Sequence, residues 1–193
     1  LNVAPDKAVW LGWSLGGTIA MNVAVRYPER VSGLITVASS PCFVATQRWP
    51  MAISGDILQG FSNFLVEDWE GTLIRFLALQ CKGSQTLKED IRKLKDIVYF
   101  CGLPAPQALR GALEVLRCTD LLDQLSAILC PTLHVYGERD NLVPVGVSNC
   151  IRDYQPDAEM AVIRGVSHVP FLSEPDLFVQ SIVDFLKEYE LIR

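Results

Sequence analysis

The sequence is poor in the residues that build metal and redox centres. Its 193 residues include only two histidines, and its six cysteines (Cys42, Cys81, Cys101, Cys118, Cys130, Cys150) form no Cys-x-x-Cys pair. That scatter argues against zinc ribbons and thioredoxin-type sites. No apolar run approaches the ~20 residues that span a bilayer. The segment Leu1 to Lys7 shows no basic stretch followed by an apolar one, so no secretory signal is read there. Positive charge is also short: 17 Lys and Arg against 22 Asp and Glu, a net charge of −5. That balance argues against general nucleic-acid binding. Scattered cysteines in a chain of this size point to buried thiols in a reducing cytosol. The expectation is a cytoplasmic protein that engages neither membrane nor nucleic acid and needs no metal or organic cofactor.

Half of the residues are apolar and a fifth are charged, enough for one globular domain with a sizeable core. Apolar runs at Ala8–Leu11 and Leu34–Val37, and later at Thr132–Tyr136 and Glu159–Ile163, predict four strands. Helical patterns fall between and after them: one at Leu15–Tyr27 using Leu15, Ile19, Met21 and Val23, and a last one opened by Pro175. Strands alternating with helices predict an α/β fold with a parallel sheet. Residues 40–118 differ. They are helical, with breaks at Pro41, Pro50, Gly83, Gly102 and Pro106, and are too long for a simple crossover. The predicted organisation is a core of residues 1–39 and 119–193, with 40–118 as a helical lid over the carboxyl ends of the strands.

Within that frame lies Gly12-Trp13-Ser14-Leu15-Gly16, a Gly-x-Ser-x-Gly spacing between a strand and a helix. Such a turn holds a serine hydroxyl above the sheet edge. Strain at a positive φ leaves little room beside it, so Gly12 and Gly16 are expected to be sterically required. A serine nucleophile needs a base. His134 lies inside a strand, where a buried structural role is expected. His168, in the loop Gly165-Val-Ser-His-Val-Pro170, is the candidate base. Asp140, just after the third strand, gives the order Ser14, Asp140, His168; Glu138 is the nearest rival. Asp120 and Asp123 read as capping or solvated residues. The amide of Leu15 supplies one oxyanion donor. A second comes from a loop upstream of the elbow in such folds, and only eleven residues precede Gly12. The strand Ala8–Leu11 would then form an exposed sheet edge. These points lead to the expectation of a hydrolase lacking its amino-terminal strands, unstable or inactive alone. Turnover by residues 1–193 with cooperative unfolding would contradict it.

Longer stretches carry a resemblance. Ala4-Pro-Asp-Lys-Ala-Val-Trp-Leu-Gly-Trp-Ser-Leu-Gly-Gly17, Pro28-Glu-Arg-Val31, Thr36-Val-Ala-Ser-Ser-Pro-Cys-Phe43, Arg75-Phe-Leu-Ala-Leu-Gln80, the Asp120-Leu region and Val166-Ser-His-Val-Pro-Phe171 resemble the pimeloyl-acyl-carrier-protein methyl ester carboxylesterases of biotin synthesis, which are α/β-hydrolases. The resemblance runs nearly end to end. It implies hydrolysis of a methyl ester on an acyl chain borne by acyl carrier protein; a monomer is expected. It implies substrate contacts at Ser14, Leu15, Phe76, Leu77, Ala78, Leu79, Gln80 and His168, and carrier docking at Arg75, Lys88 and Arg92. Gly71 and Lys88 depart from that pattern, where family members carry a basic residue and an arginine. A tryptophan of the family's early oxyanion loop has no counterpart. Independently, residues 75–95 hold six basic residues against two acidic ones, a local +4. Lys88, Arg92 and Lys95 share a helical face, which suits either a solvated surface or an acidic partner. The alternatives to this reading are a general short-acyl carboxylesterase and a hydrolase-like fragment that binds without cleaving.

Overall fold

The computed structural model describes residues 4–192. Its sheet contains four strands, β1 (Ala8–Trp13), β2 (Val31–Val37), β3 (Thr132–Gly137) and β4 (Glu159–Ile163), in the spatial order β1-β2-β3-β4. All pairs are parallel, with Gly12 beside Thr36, Leu34 beside Thr132, and His134 beside Met160. Parallel neighbours require crossovers, and the connections supply helices for both faces.

The strand sequences show why both faces are covered. Leu34 and Tyr136 point into one cluster with Met21 and Ala24 of helix α1 (Leu15–Arg26). The alternate residues Ile35, Val37, Leu133 and Val135 point into a second cluster, closed by Phe185 and, at its border, Phe178, Ile182 and Leu186 of the last helix, α8 (Pro175–Glu188). Alternation with period two thus feeds two cores from the same strands. The α1 face differs from the expected one: Ile19 is 50% exposed, whereas Gly17, Thr18, Ala20, Met21 and Ala24 are buried. Close approach selects small residues here, because a Cβ on Gly17 would lie 2.5 Å from the Cβ of Ser39.

Between β2 and β3 stand four helices, α2 (Gly55–Glu67), α3 (Trp69–Cys81), α4 (Leu87–Cys101) and α5 (Pro106–Cys118). Gly102 (φ +89) closes α4, and Pro106 occupies the first turn of α5. Residues 42–53, which fall inside the expected lid, form no helix, and four of them are buried in the core. Trp49 is fully buried in the α1-side cluster with Cys42, Phe43 and Ile53, and its indole N–H donates to Ser40 Oγ at 3.0 Å. The helical cover therefore starts at Gly55. A short helix, α6 (Val147–Ile151), follows the Asp140 loop, and another, α7 (Pro170–Ser173), follows His168. No described helix is long and apolar enough to cross a membrane.

Candidate active site

Ser14 sits where β1 ends and α1 begins, at φ 52 and ψ −121. L-residues rarely adopt that conformation, and it persists only where the surroundings enforce it. Three bonds do so. The Ser14 amide donates to the Val37 carbonyl at 2.8 Å, and the Ser14 carbonyl accepts from Gly17 N–H at 2.9 Å and from Ser39 Oγ at 2.7 Å. The glycine requirement is confirmed at one position and corrected at the other. A Cβ on Gly12 would collide with the Gly16 carbonyl, but one on Gly16 would meet nothing within 4 Å. The tight approaches fall at Gly12 and Gly17, because α1 leads away from the turn with Gly16 outward.

The strand ends bring the other two groups to this serine. His168 Nε2 lies 2.9 Å from Ser14 Oγ, and His168 Nδ1 lies 2.7 Å from Asp140 Oδ2. Both the histidine and aspartate side chains are fully buried. The second oxygen, Asp140 Oδ1, accepts from the amides of Leu142 (2.8 Å) and Val143 (3.0 Å). A carboxylate held in that way accepts the Nδ1 proton, leaving Nε2 free to accept from the serine hydroxyl. Trp13, beside the serine, donates its indole N–H to the His168 carbonyl at 2.8 Å and packs edge-on against Phe171. Trp13 thus holds the His168 backbone, while Asp140 orients its imidazole. Leu15, the first residue of α1, offers its amide among the unpaired N–H groups of a helix start.

The remaining candidates fall elsewhere. Glu138 accepts from the Gly165 amide at 2.9 Å, so it braces the His168 loop rather than touching the imidazole. Asp120 accepts from the Leu122 amide at 3.0 Å, and Asp123 pairs with Arg48 on the surface. His134 is fully buried, with Nδ1 2.6 Å from Thr36 Oγ1 and Nε2 3.1 Å from Gln155 Oε1. The amide oxygen can only accept, so Nε2 carries the proton and the threonine donates to Nδ1. Burial pulls this histidine down from 6.5 to about 4. The unfolded chain therefore binds the extra proton first. The resulting stability is complete above pH 6.5 and is lost as pH falls toward about 4. The unfolding free energy is expected to drop across that window by up to about 1.4 kcal/mol per pH unit, read as falling denaturation midpoints. His134→Gln should flatten that slope, whatever it does to absolute stability.

Beside Ser14 opens a cavity of about 260 Å³, walled by Trp13 and Leu15 of the core, Phe61 of α2, Leu73 and Phe76 of α3, and Leu109 and Leu113 of α5. It is almost wholly apolar. Two buried polar atoms on its wall, Thr72 Oγ1 and Gln80 Nε2, have no hydrogen-bond partner. Of the expected stretch 76–80, Phe76 and Gln80 line this cavity, whereas Leu77 turns into a separate cluster with Leu73, Cys81, Leu94 and Val169. Ala78 and Leu79 do not line it either. A helix shows one stripe to one neighbour, so five consecutive residues cannot share a wall. Thr72, Leu73, Phe76 and Gln80 form that stripe. The walls from α2 and α5 have no sequence motif.

Arg75, Lys88 and Arg92 are exposed on α3 and α4. Arg75 lies 3.7 Å from Asp68, and Arg92 lies 3.8 Å from Asp96, so part of the local positive charge is paired. Among the described residues, no cluster of three or more His, Cys, Asp or Glu side chains is arranged to hold a metal ion.

Residues 3–175 match the family model for the alpha/beta hydrolase fold. The chain is 43% identical over 188 residues to the pimeloyl-(acyl-carrier protein) methyl ester esterase of Yersinia enterocolitica, covering 97% of this chain and 72% of that protein. It is 46% identical over 183 residues to the protein of the same name from Citrobacter koseri, covering 95% and 71%. Among solved structures, an esterase from Exiguobacterium antarcticum superposes with a TM-score of 0.79 at 22% identity, covering 92% of this chain and 65% of that one. That likeness concerns the fold. By its sequence and its parallel sheet, the chain belongs to the alpha/beta hydrolase fold family, with the pimeloyl-(acyl-carrier protein) methyl ester esterases as relatives.

Proposed function

We propose that this protein is a serine carboxylesterase that hydrolyses the methyl ester of a pimeloyl chain carried on acyl carrier protein, releasing methanol and the free carboxylate. The observation that carries the reading is the Ser14–His168–Asp140 relay opening onto an apolar cavity. Ser14 Oγ attacks the ester carbonyl as His168 Nε2 takes its proton. The developing oxyanion is met by the Leu15 amide. The imidazolium, stabilised by Asp140, returns the proton to the departing methoxide, and methanol leaves. A water molecule then attacks the acyl-serine, giving its proton to His168. Collapse of the second intermediate restores Ser14 and releases the carboxylic acid. Protons pass among serine, histidine, alcohol and water, so the cycle balances without a cofactor.

The cavity supports an acyl substrate. Its apolar walls suit a methylene chain, and the unpaired Thr72 Oγ1 and Gln80 Nε2 offer a polar group on that chain a partner. The carrier is assigned to Arg75, Lys88 and Arg92, whose exposed positive charge complements an acidic protein. The same reading takes the protein as a cytoplasmic monomer. Charge reversal at Arg75 and Arg92 separates carrier recognition from ester chemistry. The double variant is expected to lose about tenfold or more in kcat/KM on the carrier-bound ester, while hydrolysis of a free methyl ester stays within twofold. Equal rates on the carrier-bound ester would remove the docking assignment. Cleavage of free methyl esters with none of the carrier-bound ester would favour a general short-acyl esterase.

A further inference from the structure

Asp140 and His168 stand on two different loops, and loops are ordinarily the least constrained parts of a fold. The two loops are joined directly, by the Arg139 amide donating to the Val166 carbonyl at 2.9 Å and by Glu138 accepting from the Gly165 amide, and their 2.7 Å Asp140–His168 contact has a further, shared anchor. That anchor lies outside both loops, in the turn joining α3 and α4. The carbonyl of Lys82 accepts two side-chain hydrogen bonds, from Asn141 Nδ2 at 2.8 Å and from Ser167 Oγ at 2.7 Å. Asn141 follows Asp140, and Ser167 precedes His168. One backbone oxygen, using both of its lone pairs, therefore holds the neighbours of the acid and the base together.

Further bonds lock the same turn in place. The His168 amide donates to the Gln80 carbonyl at 3.1 Å, and the Gln85 amide donates to the Gly165 carbonyl at 3.2 Å. Gly83 adopts φ +101 beneath the acid loop, where a Cβ would lie 2.7 Å from the Arg139 carbonyl. Asp90 is fully buried at the start of α4. Its Oδ2 accepts from Ser84 (2.6 Å), Thr86 (2.9 Å) and Ser173 (2.6 Å), and Ser173 ends the short helix after His168. Residues 80–90 thus grip both loops, while Phe76 and Gln80, just upstream, face the cavity.

We propose that Asn141 and Ser167 are positioning residues, which set the Asp140–His168–Ser14 geometry by converging on the Lys82 carbonyl. This rests on the reading of Ser14 as nucleophile and His168 as its base. Neither residue lines the cavity beside Ser14, so their effect falls on the chemical step rather than on substrate binding. A displacement of about 1 Å at the reacting groups costs on the order of a hundredfold in rate.

The test compares Asn141→Ala, Ser167→Ala and the double variant with the unaltered protein. It reads the second-order rate of Ser14 labelling by a fluorophosphonate, together with kcat and KM on a methyl ester. Labelling and kcat are expected to fall in parallel, by about tenfold to a hundredfold in the double variant, with KM within twofold. The single effects should not add, since both bonds end on one oxygen. Should the buried Ser167→Ala variant fail to fold, the exposed Asn141→Ala carries the test alone, with labelling and kcat expected to fall severalfold. Labelling and kcat within twofold of the unaltered protein in Asn141→Ala and the double variant would overturn the proposal, as would a raised KM at unchanged kcat. Labelling that survives Ser14→Ala would instead overturn the underlying reading of the nucleophile.

Discussion

Ser14→Ala is expected to lower ester hydrolysis by about 10⁴- to 10⁶-fold while leaving the melting temperature nearly unchanged. The two halves of that expectation have separate causes. The hydroxyl is the one atom of residue 14 that His168 reaches, at 2.9 Å, and without it no acyl-enzyme forms. Residual rate then comes from binding and oxyanion stabilisation alone. The fold does not depend on the hydroxyl. The strained turn is held through the Ser14 amide and carbonyl, by Val37, Gly17 and Ser39, and alanine keeps all of these bonds. Ester hydrolysis followed beside thermal unfolding checks both halves. A large drop in melting temperature would show that the hydroxyl serves the turn instead.

Asp140→Asn is expected to cost about 10⁴-fold in kcat, although the two side chains have the same shape. The reason lies in the carboxylate's other bonds. Asp140 Oδ1 accepts from the Leu142 and Val143 amides at 2.8 and 3.0 Å, so an asparagine must keep its oxygen there. Its NH₂ group then faces His168 Nδ1. That nitrogen becomes an acceptor, the ring proton moves to Nε2, and Nε2 can no longer accept from Ser14. The variant thus installs the wrong tautomer in an intact site. Measured kcat, with a nitrogen-resolved NMR spectrum of the imidazole, checks the loss and its cause together. A variant with more than a tenth of the original kcat would show that Asp140 does not set the tautomer.

Much of this was legible before the structure, for reasons that differ by residue. The elbow at Ser14 is local: a strand, a strained turn and a helix lie within twenty residues, and the glycine spacing reflects the collision at Gly12. The central strands β2 and β3 were legible because both of their faces are buried, giving short apolar runs such as Leu34–Val37. The burial of His134 followed from its place inside β3. What stayed illegible depends on neighbours. Helical periodicity marks an apolar face but not what it meets, so Phe61, Leu109 and Leu113 carried no sign of lining a cavity. The same limit separates Phe76 and Gln80, which face it, from Leu77. Ile19 misled because α1 packs through glycine and alanine. The grip of residues 80–90 on the two loops runs largely through backbone carbonyls, which any residue supplies.

Peptide mapping after fluorophosphonate treatment asks whether Ser14 is an activated nucleophile. Phosphonylation needs the serine and its base. The experiment therefore reads the nucleophile itself, without a need for full turnover. The predicted result is one adduct per folded molecule, on the peptide carrying Ser14, with labelling suppressed in His168→Ala. An unmodified Ser14 in folded protein, or an adduct on another serine such as Ser39, would contradict it.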